Sequence, residues 1–193
     1  MLEFQSMKRG SRFLFLLVFV SGCAHGAAGP KAAPAARAEV ASQNRCEIVN
    51  RPRLYKGGAL LIVPFSPGVD VAATDDVERI SLRIVKGAAE LLQEKAPRLE
   101  VLLAQNAERA ELVLRGRVTK LEDPVGLRNK WFSHRQKSLE VKGEMLDSRT
   151  NETVLTFSVQ LAATAQSESF DDLGQRIGRQ IAERIAGELN SSS

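Results

Sequence analysis

Few residues in this chain are of a type that does chemistry, and most of them are scattered. The soft or titratable candidates are two cysteines, Cys23 and Cys46, and two histidines, His25 and His134. No Gly-x-Ser-x-Gly elbow, phosphate-binding glycine loop or Cys/His zinc spacing is present. One histidine, His134, falls within the part expected to fold, with no nucleophile and orienting carboxylate arranged around it, so a catalytic relay is not indicated. The acidic pairs Asp75-Asp76 and Asp171-Asp172 stand at expected helix starts, where negative charge suits the positive end of the helix dipole. The expectation is therefore no enzyme, no metal and no cofactor. Cys23 is the exception, because its neighbours set it up for acylation. Basic residues Lys8, Arg9 and Arg12 lead into an apolar run from Phe13 to Val20, and Ser21 and Gly22 then precede the thiol.

A spanning helix needs roughly 20 apolar residues, so this run suits a signal-peptide core and is too short to cross a bilayer stably. Val20-Ser21-Gly22-Cys23 resembles the bacterial lipobox; an ordinary signal with a chance cysteine is the competing reading. The resemblance implies a diacylglyceryl group on the sulfur, cleavage before Cys23 and acylation, palmitate or similar, of the new amino group. Each buried methylene contributes about 0.8 kcal/mol, so two or more chains anchor where one would be marginal. Residues 1–22 are thus expected to be a lipoprotein signal peptide, with Met7 the better start because Glu3 interrupts the basic flank. Ala24 after the cysteine, rather than Asp, resembles lipoproteins sorted to an outer membrane and facing the periplasm.

Loss of that leader removes Lys8, Arg9, Arg12 and Glu3, so the net charge falls from +4 to +2. The basic pI is partly a targeting feature and gives no reason to expect nucleic-acid binding. Residues 23–45 are read as the lipidated N-terminus and a disordered tether. Ala24 to Asn44 has almost no large apolar residue and is broken by Gly29, Pro30 and Pro34. Fully extended at ~3.3–3.6 Å per residue it reaches ~70 Å. Cys46 then remains as a lone thiol, read as buried, as exposed, or as half of an intermolecular disulfide.

Residues 46–190 are expected to form one α/β domain. Ala59 to Phe65 is a continuous apolar run between glycines and a proline, as in a strand covered on both faces. Val77, Ile80, Ile84, Ala88 and Leu91 recur at helical spacing, which predicts a helix over 75–95 capped by Thr74 or Asp75. Leu99 to Leu103 reads as a second strand, parallel to the first. Period-two alternation predicts three more strands, around 112–119, 139–145 and 155–161, the last two joined as a hairpin through Asp147, Thr150 and Asn151. A final helix over 170–189 carries an apolar stripe, Phe170 to Leu189, beside the small residues Gly174, Gly178 and Ala182; close packing on the sheet or on the other helix is expected there. The predicted fold is a two-layer α/β sandwich, a mixed sheet of about five strands with two helices on one face.

The stretches "AELVLRGRV" from Ala110 to Val118 and "LDSRTNETV" from Leu146 to Val154 carry a further resemblance. Together with the element order they resemble the α/β domain of the TolB N-terminal, CsgG-type and LpoB-type envelope proteins, a layout shared by several lipoprotein families. Asn151 stands where those turns have glycine, and it too tolerates left-handed geometry. The resemblance implies binding and assembly rather than catalysis, with a protein partner in the envelope and with homo-oligomers compatible.

The segment Asp123 to Lys137, "DPVGLRNKWFSHRQK", holds the lone tryptophan. Arg128, Lys130 and Arg135 surround Trp131 and Phe132, a mixture suited to a partner protein or to anionic headgroups. The competing reading folds both aromatics back onto the core. The expected function is a lipid-anchored adaptor or assembly subunit; the alternative is a ligand-binding module for lipid or cell-wall polymer.

Overall fold

The architecture comes from a computed structural model. It describes residues 44–102, 104–123, 136–165 and 167–191. The expected leader and lipidation site, the expected tether up to residue 43, and the segment holding Trp131 lie outside the described residues; Asn44 and Arg45, read as the tether's end, belong to the sheet's first strand and its start.

Strand β1 (Arg45–Ile48) is followed by a short helix, α1 (Arg51–Lys56). Asn50 caps α1 by accepting the Arg53 amide at 3.0 Å, and Gly57, with φ of +67°, ends it. Then come β2 (Gly58–Ile62), β3 (Ser66–Pro67), helix α2 (Asp75–Lys95) and β4 (Leu99–Leu102). A 3-10 turn over Ala104–Arg109 leads to β5 (Leu112–Glu122), β6 (Ser138–Asp147), β7 (Thr153–Ala162) and helix α3 (Phe170–Asn190). The sheet order is β1-β7-β6-β5-β2-β4, with β3 also paired to β5. β2 runs parallel to β4 and β5, whereas β5-β6, β6-β7 and β7-β1 are antiparallel.

The fold class is α/β, as expected, with two corrections. The sheet has seven strands among the described residues, not about five. The additions are β1 and the two-residue β3, both too short to show a period. A third helix, α1, is also present; it carries the chain from the β1 edge past the ends of β7, β6 and β5 to β2. The helices over 75–95 and from Phe170 match the expected positions, with Thr74 and Ser169 as caps.

A bulge separates β2 from β3. Ile62 pairs with Leu114 but Ser66 with Arg117, one residue more on one strand than on the other. Pro64 lies in that bulge, where its missing N–H costs no ladder bond. Phe65 turns into the core, and its amide donates to buried Ser81 of α2 at 2.5 Å. The Phe65 ring lies over Gly116, and Phe157, 6.0 Å away, lies over Gly143. Those glycines face one another across β5 and β6. A side chain at either would displace a ring.

One face of the sheet carries Leu60, Leu112, Leu114, Val118, Val141, Met145, Leu155 and Val159, all fully buried. Helices α2 and α3 cover it. Both start at the end of the sheet where β2 and β5 finish, so they run parallel to each other. Arg79 meets Asp171 at 2.9 Å near their starts, and Asn190 reaches the Lys95 carbonyl at 3.3 Å near their ends. The expected close packing is helix on helix. A Cβ on Gly178 would run into the carbonyl of Ile84, and one on Gly87 into that of Gln175.

Candidate functional site

Charged side chains of this domain gather in three places. The first is the end of the sheet where β2 and β5 begin. Arg53 of α1 reaches Asp147 with Nε, the Gly57 carbonyl with Nη1 at 2.8 Å and the Glu111 carbonyl with Nη2 at 3.1 Å. The Asp147 carboxylate also accepts the Arg149 and Thr150 amides at 2.9 and 3.1 Å. The Arg53 hydrogen bond, then the Thr150 and Arg149 amides, hold the Asp147 carboxyl well below the usual carboxylate range. Ser148 donates its amide to the Glu111 carbonyl at 2.9 Å and its hydroxyl to that of Ala110. The two stretches quoted above for their family resemblance therefore meet here. Their acidic residues close a turn and bind one arginine, which is structural work. Asn151 completes the turn with φ of +60°.

The second place is the open face of the sheet. Arg115 pairs with Glu144 at 2.8 Å, Lys142 with Glu140 at 3.0 Å, and Thr156, Ser158 and Gln160 follow on β7. An open groove of about 670 Å³ runs along it between Val63, Pro64, Arg117 and Lys142. This face is polar and solvated, as the alternation predicts, and its charges are mostly matched across or along strands.

The third is the end where the sheet finishes and α2 and α3 start. Ser169 and Asp172 form a reciprocal cap on α3. Glu168 accepts the Thr164 hydroxyl at 2.9 Å and pairs with Arg176. Lys137 donates to the Glu168 carbonyl at 3.3 Å and lies 5.7 Å from the Phe170 ring centroid. Ser138 donates to Glu122 at 3.0 Å. The base that follows the 124–135 segment is thus tied to the β7–α3 connection through Lys137, and to the base that precedes it through Ser138 and Glu122. Asn44 is at this end as well, its side chain accepting the Gln160 amide at 2.7 Å.

Of the residues singled out from sequence, Cys23, His25, Arg128, Lys130, Trp131, Phe132, His134 and Arg135 lie outside the described residues. Cys46 is half-buried on β1 opposite Phe157. Burial pushes its thiol up, with Arg184 acting against that and Glu188 with it. Asp75, Asp76, Asp171 and Asp172 are in the first turns of α2 and α3, as expected. Arg53 is the residue that sequence reasoning missed. The Asn50-x-Pro52 start and Gly57 stop of its helix were readable signals, but its partners lie 58 and 94 residues away. Among the described residues, no cluster of His, Cys, Asp and Glu is arranged to hold a metal, and no helix is long and apolar enough to cross a membrane.

No family model matches the chain, and no curated protein sequence matches it. Solved structures do. The PelC dodecamer from Paraburkholderia phytofirmans is 13% identical, with a TM-score of 0.50 over 74% of this chain and 96% of that one. Protein XCC0632 from Xanthomonas campestris is 14% identical, with a TM-score of 0.45 over 71% and 89%. Lipoprotein GNA1162 from Neisseria meningitidis is 17% identical, with a TM-score of 0.40 over 68% and 99%. At 13% identity and a TM-score of 0.50, the likeness to PelC is one of fold.

Proposed function

We propose that this chain is a non-catalytic, lipid-anchored protein of the bacterial cell envelope that acts as an adaptor or assembly subunit. The observation that carries the reading is Val20-Ser21-Gly22-Cys23 after a basic flank and a short apolar core. In this reading residues 1–22 are the cleaved leader, Cys23 bears the acyl chains, and the residues between Cys23 and β1 tether the α/β domain to the membrane. The most fitting address is the outer membrane, facing the periplasm.

The domain's geometry supports a working end. Asn44 and the bases of the 124–135 segment leave the sheet at the same end, since Glu122, Ser138 and Ala162 are aligned there. In this reading Arg128, Lys130, Trp131, Phe132 and Arg135, in the segment whose two bases stand at that end, are the contact residues. They meet a protein partner near the membrane, with base and aromatic contributing contact and charge. The ion pairs that cover the open face, Arg115–Glu144 and Lys142–Glu140, favour this adaptor reading over a lipid- or polymer-binding pocket. PelC is described as a dodecamer; for this chain, self-association is the corresponding proposal.

The test is in the native envelope. Metabolic labelling with a tagged fatty acid should mark the full chain, and Cys23→Ala should lose both label and membrane association. A combined Arg128→Ala, Lys130→Ala and Trp131→Ala variant should lose its crosslinked partner while keeping its melting temperature. An unlabelled chain rejects the anchor, and an unchanged crosslinking pattern rejects the contact segment.

A further inference from the structure

Strand β1 ends the sheet, and its outer edge has no neighbouring strand among the described residues. The pattern of its bonds to β7 shows which groups are left over. The Val49 amide donates to the Val154 carbonyl at 2.9 Å. With the register Glu47↔Thr156 and Arg45↔Ser158, period two puts the amides and carbonyls of Arg45 and Glu47 on the β7 side. Those of Cys46 and Ile48 therefore point to the open edge. Such an edge is a template for another strand; this one is only four residues long, and its exposed Arg45 and Glu47 repel a mismatched strand but admit one that presents the complementary charges.

Charges of both signs surround Cys46. On the open face of the sheet, Arg45 and Glu47 flank it along the strand, both exposed. On the helix-covered side, the half-buried Arg184 and Glu188 of α3 act on the thiol with opposite sign. Arg45 and Glu47 place one cation and one anion about Cys46, so the strand is its own complement when reversed. Cys46 and Ile48 are half-buried against the core, and Val49 is 59% exposed, which leaves apolar surface along the same edge.

We propose that two copies of this chain join through β1, antiparallel, in the register that sets Cys46 opposite the same residue of its mate. Arg45 then faces Glu47 of the mate in both directions. These are non-hydrogen-bonded positions, where side chains lie closest. The Cys46 amides and carbonyls bond reciprocally, with Cα atoms about 5.5 Å apart. A shift of one residue in register would lose the Arg45–Glu47 pairing, so charge fixes the register. The proposal does not depend on lipidation or on the 124–135 segment, and its failure leaves the envelope reading standing.

The experiment uses the full mature chain, in detergent if acylated, with mass measured by light scattering. Glu47→Arg alone and Arg45→Glu alone should each weaken dimerisation at least about tenfold, ~1.4 kcal/mol. The double reversal Arg45→Glu/Glu47→Arg should restore it, and mixing the two single variants should give a heterodimer. Copper(II) oxidation should link the wild-type dimer through Cys46, two thiols giving up two protons and two electrons to the copper. Arg45 and Glu47 are exposed, so near-UV circular dichroism should show every variant folded. A monomeric wild-type chain overturns the proposal, including one whose Cys46 and Ile48 amides resist hydrogen exchange because residues 24–43 cover the edge. A dimer indifferent to the single reversals, or one that Cys46 does not link, overturns it too.

Discussion

The two faces of the sheet are built to different tolerances. The helix-covered face has no slack. Gly87 and Gly178 let two parallel helices touch backbone to backbone, and Gly116 and Gly143 make room for the rings of Phe65 and Phe157. The open face is held by exposed pairs such as Arg115–Glu144 and Lys142–Glu140, which share their work with water. The covered face specifies the fold, and the open face leaves freedom to change.

The largest effect that would sharpen this contrast is at the helix contact. Gly178→Ala sets a methyl against the Ile84 carbonyl and should destabilise by about 3 kcal/mol, the upper part of the usual range for overpacking. Denaturant unfolding measures it; a loss below ~1 kcal/mol would mean the helices separate easily. Asp147→Ala comes next, at about 2–3 kcal/mol, because it leaves half-buried Arg53 without its carboxylate. Its pH signature has a definite sign. The folded carboxyl is held below its unfolded value, so its contribution is complete above about pH 4 and is lost as pH falls further. Stability should drop on acidification in the native chain, and Asp147→Asn should flatten that slope.

Gly187→Ala is the control within the same helix. No atom lies within 4 Å of where its Cβ would be, so helix propensity alone applies and the melting temperature should rise, by up to ~1 kcal/mol in stability. On the open face, Arg115→Ala should cost less than about 1 kcal/mol, since the pair is exposed. A larger loss there would erase the distinction between the faces.

What the sequence made legible follows the same division. The covered face announced itself, because apolar periods of two and 3.6 are the direct trace of burial. The helix starting at Asp75, the hairpin through Asn151 and the small stripe of Gly174 and Gly178 could all be read from local rules. Arg53 could not, because what makes it central is a meeting of α1, the start of β5 and the end of β6, distant in sequence. β1 also escaped. Its four residues alternate only because β7 lies on one side of them, and Arg45 and Glu47 look like a solvated stretch until the sheet order is known. The proposed acylation signal is the opposite case, a local pattern around Cys23 that needs no fold to be read.

The central claim concerns that cysteine, and the mass of the mature N-terminus in native membranes tests it most directly. The account predicts a chain beginning at Cys23, heavier than its residues by a diacylglyceryl group and an amide-linked acyl chain. A chain that still carries residues 13–22, or one that starts at Cys23 with a bare thiol, would contradict it.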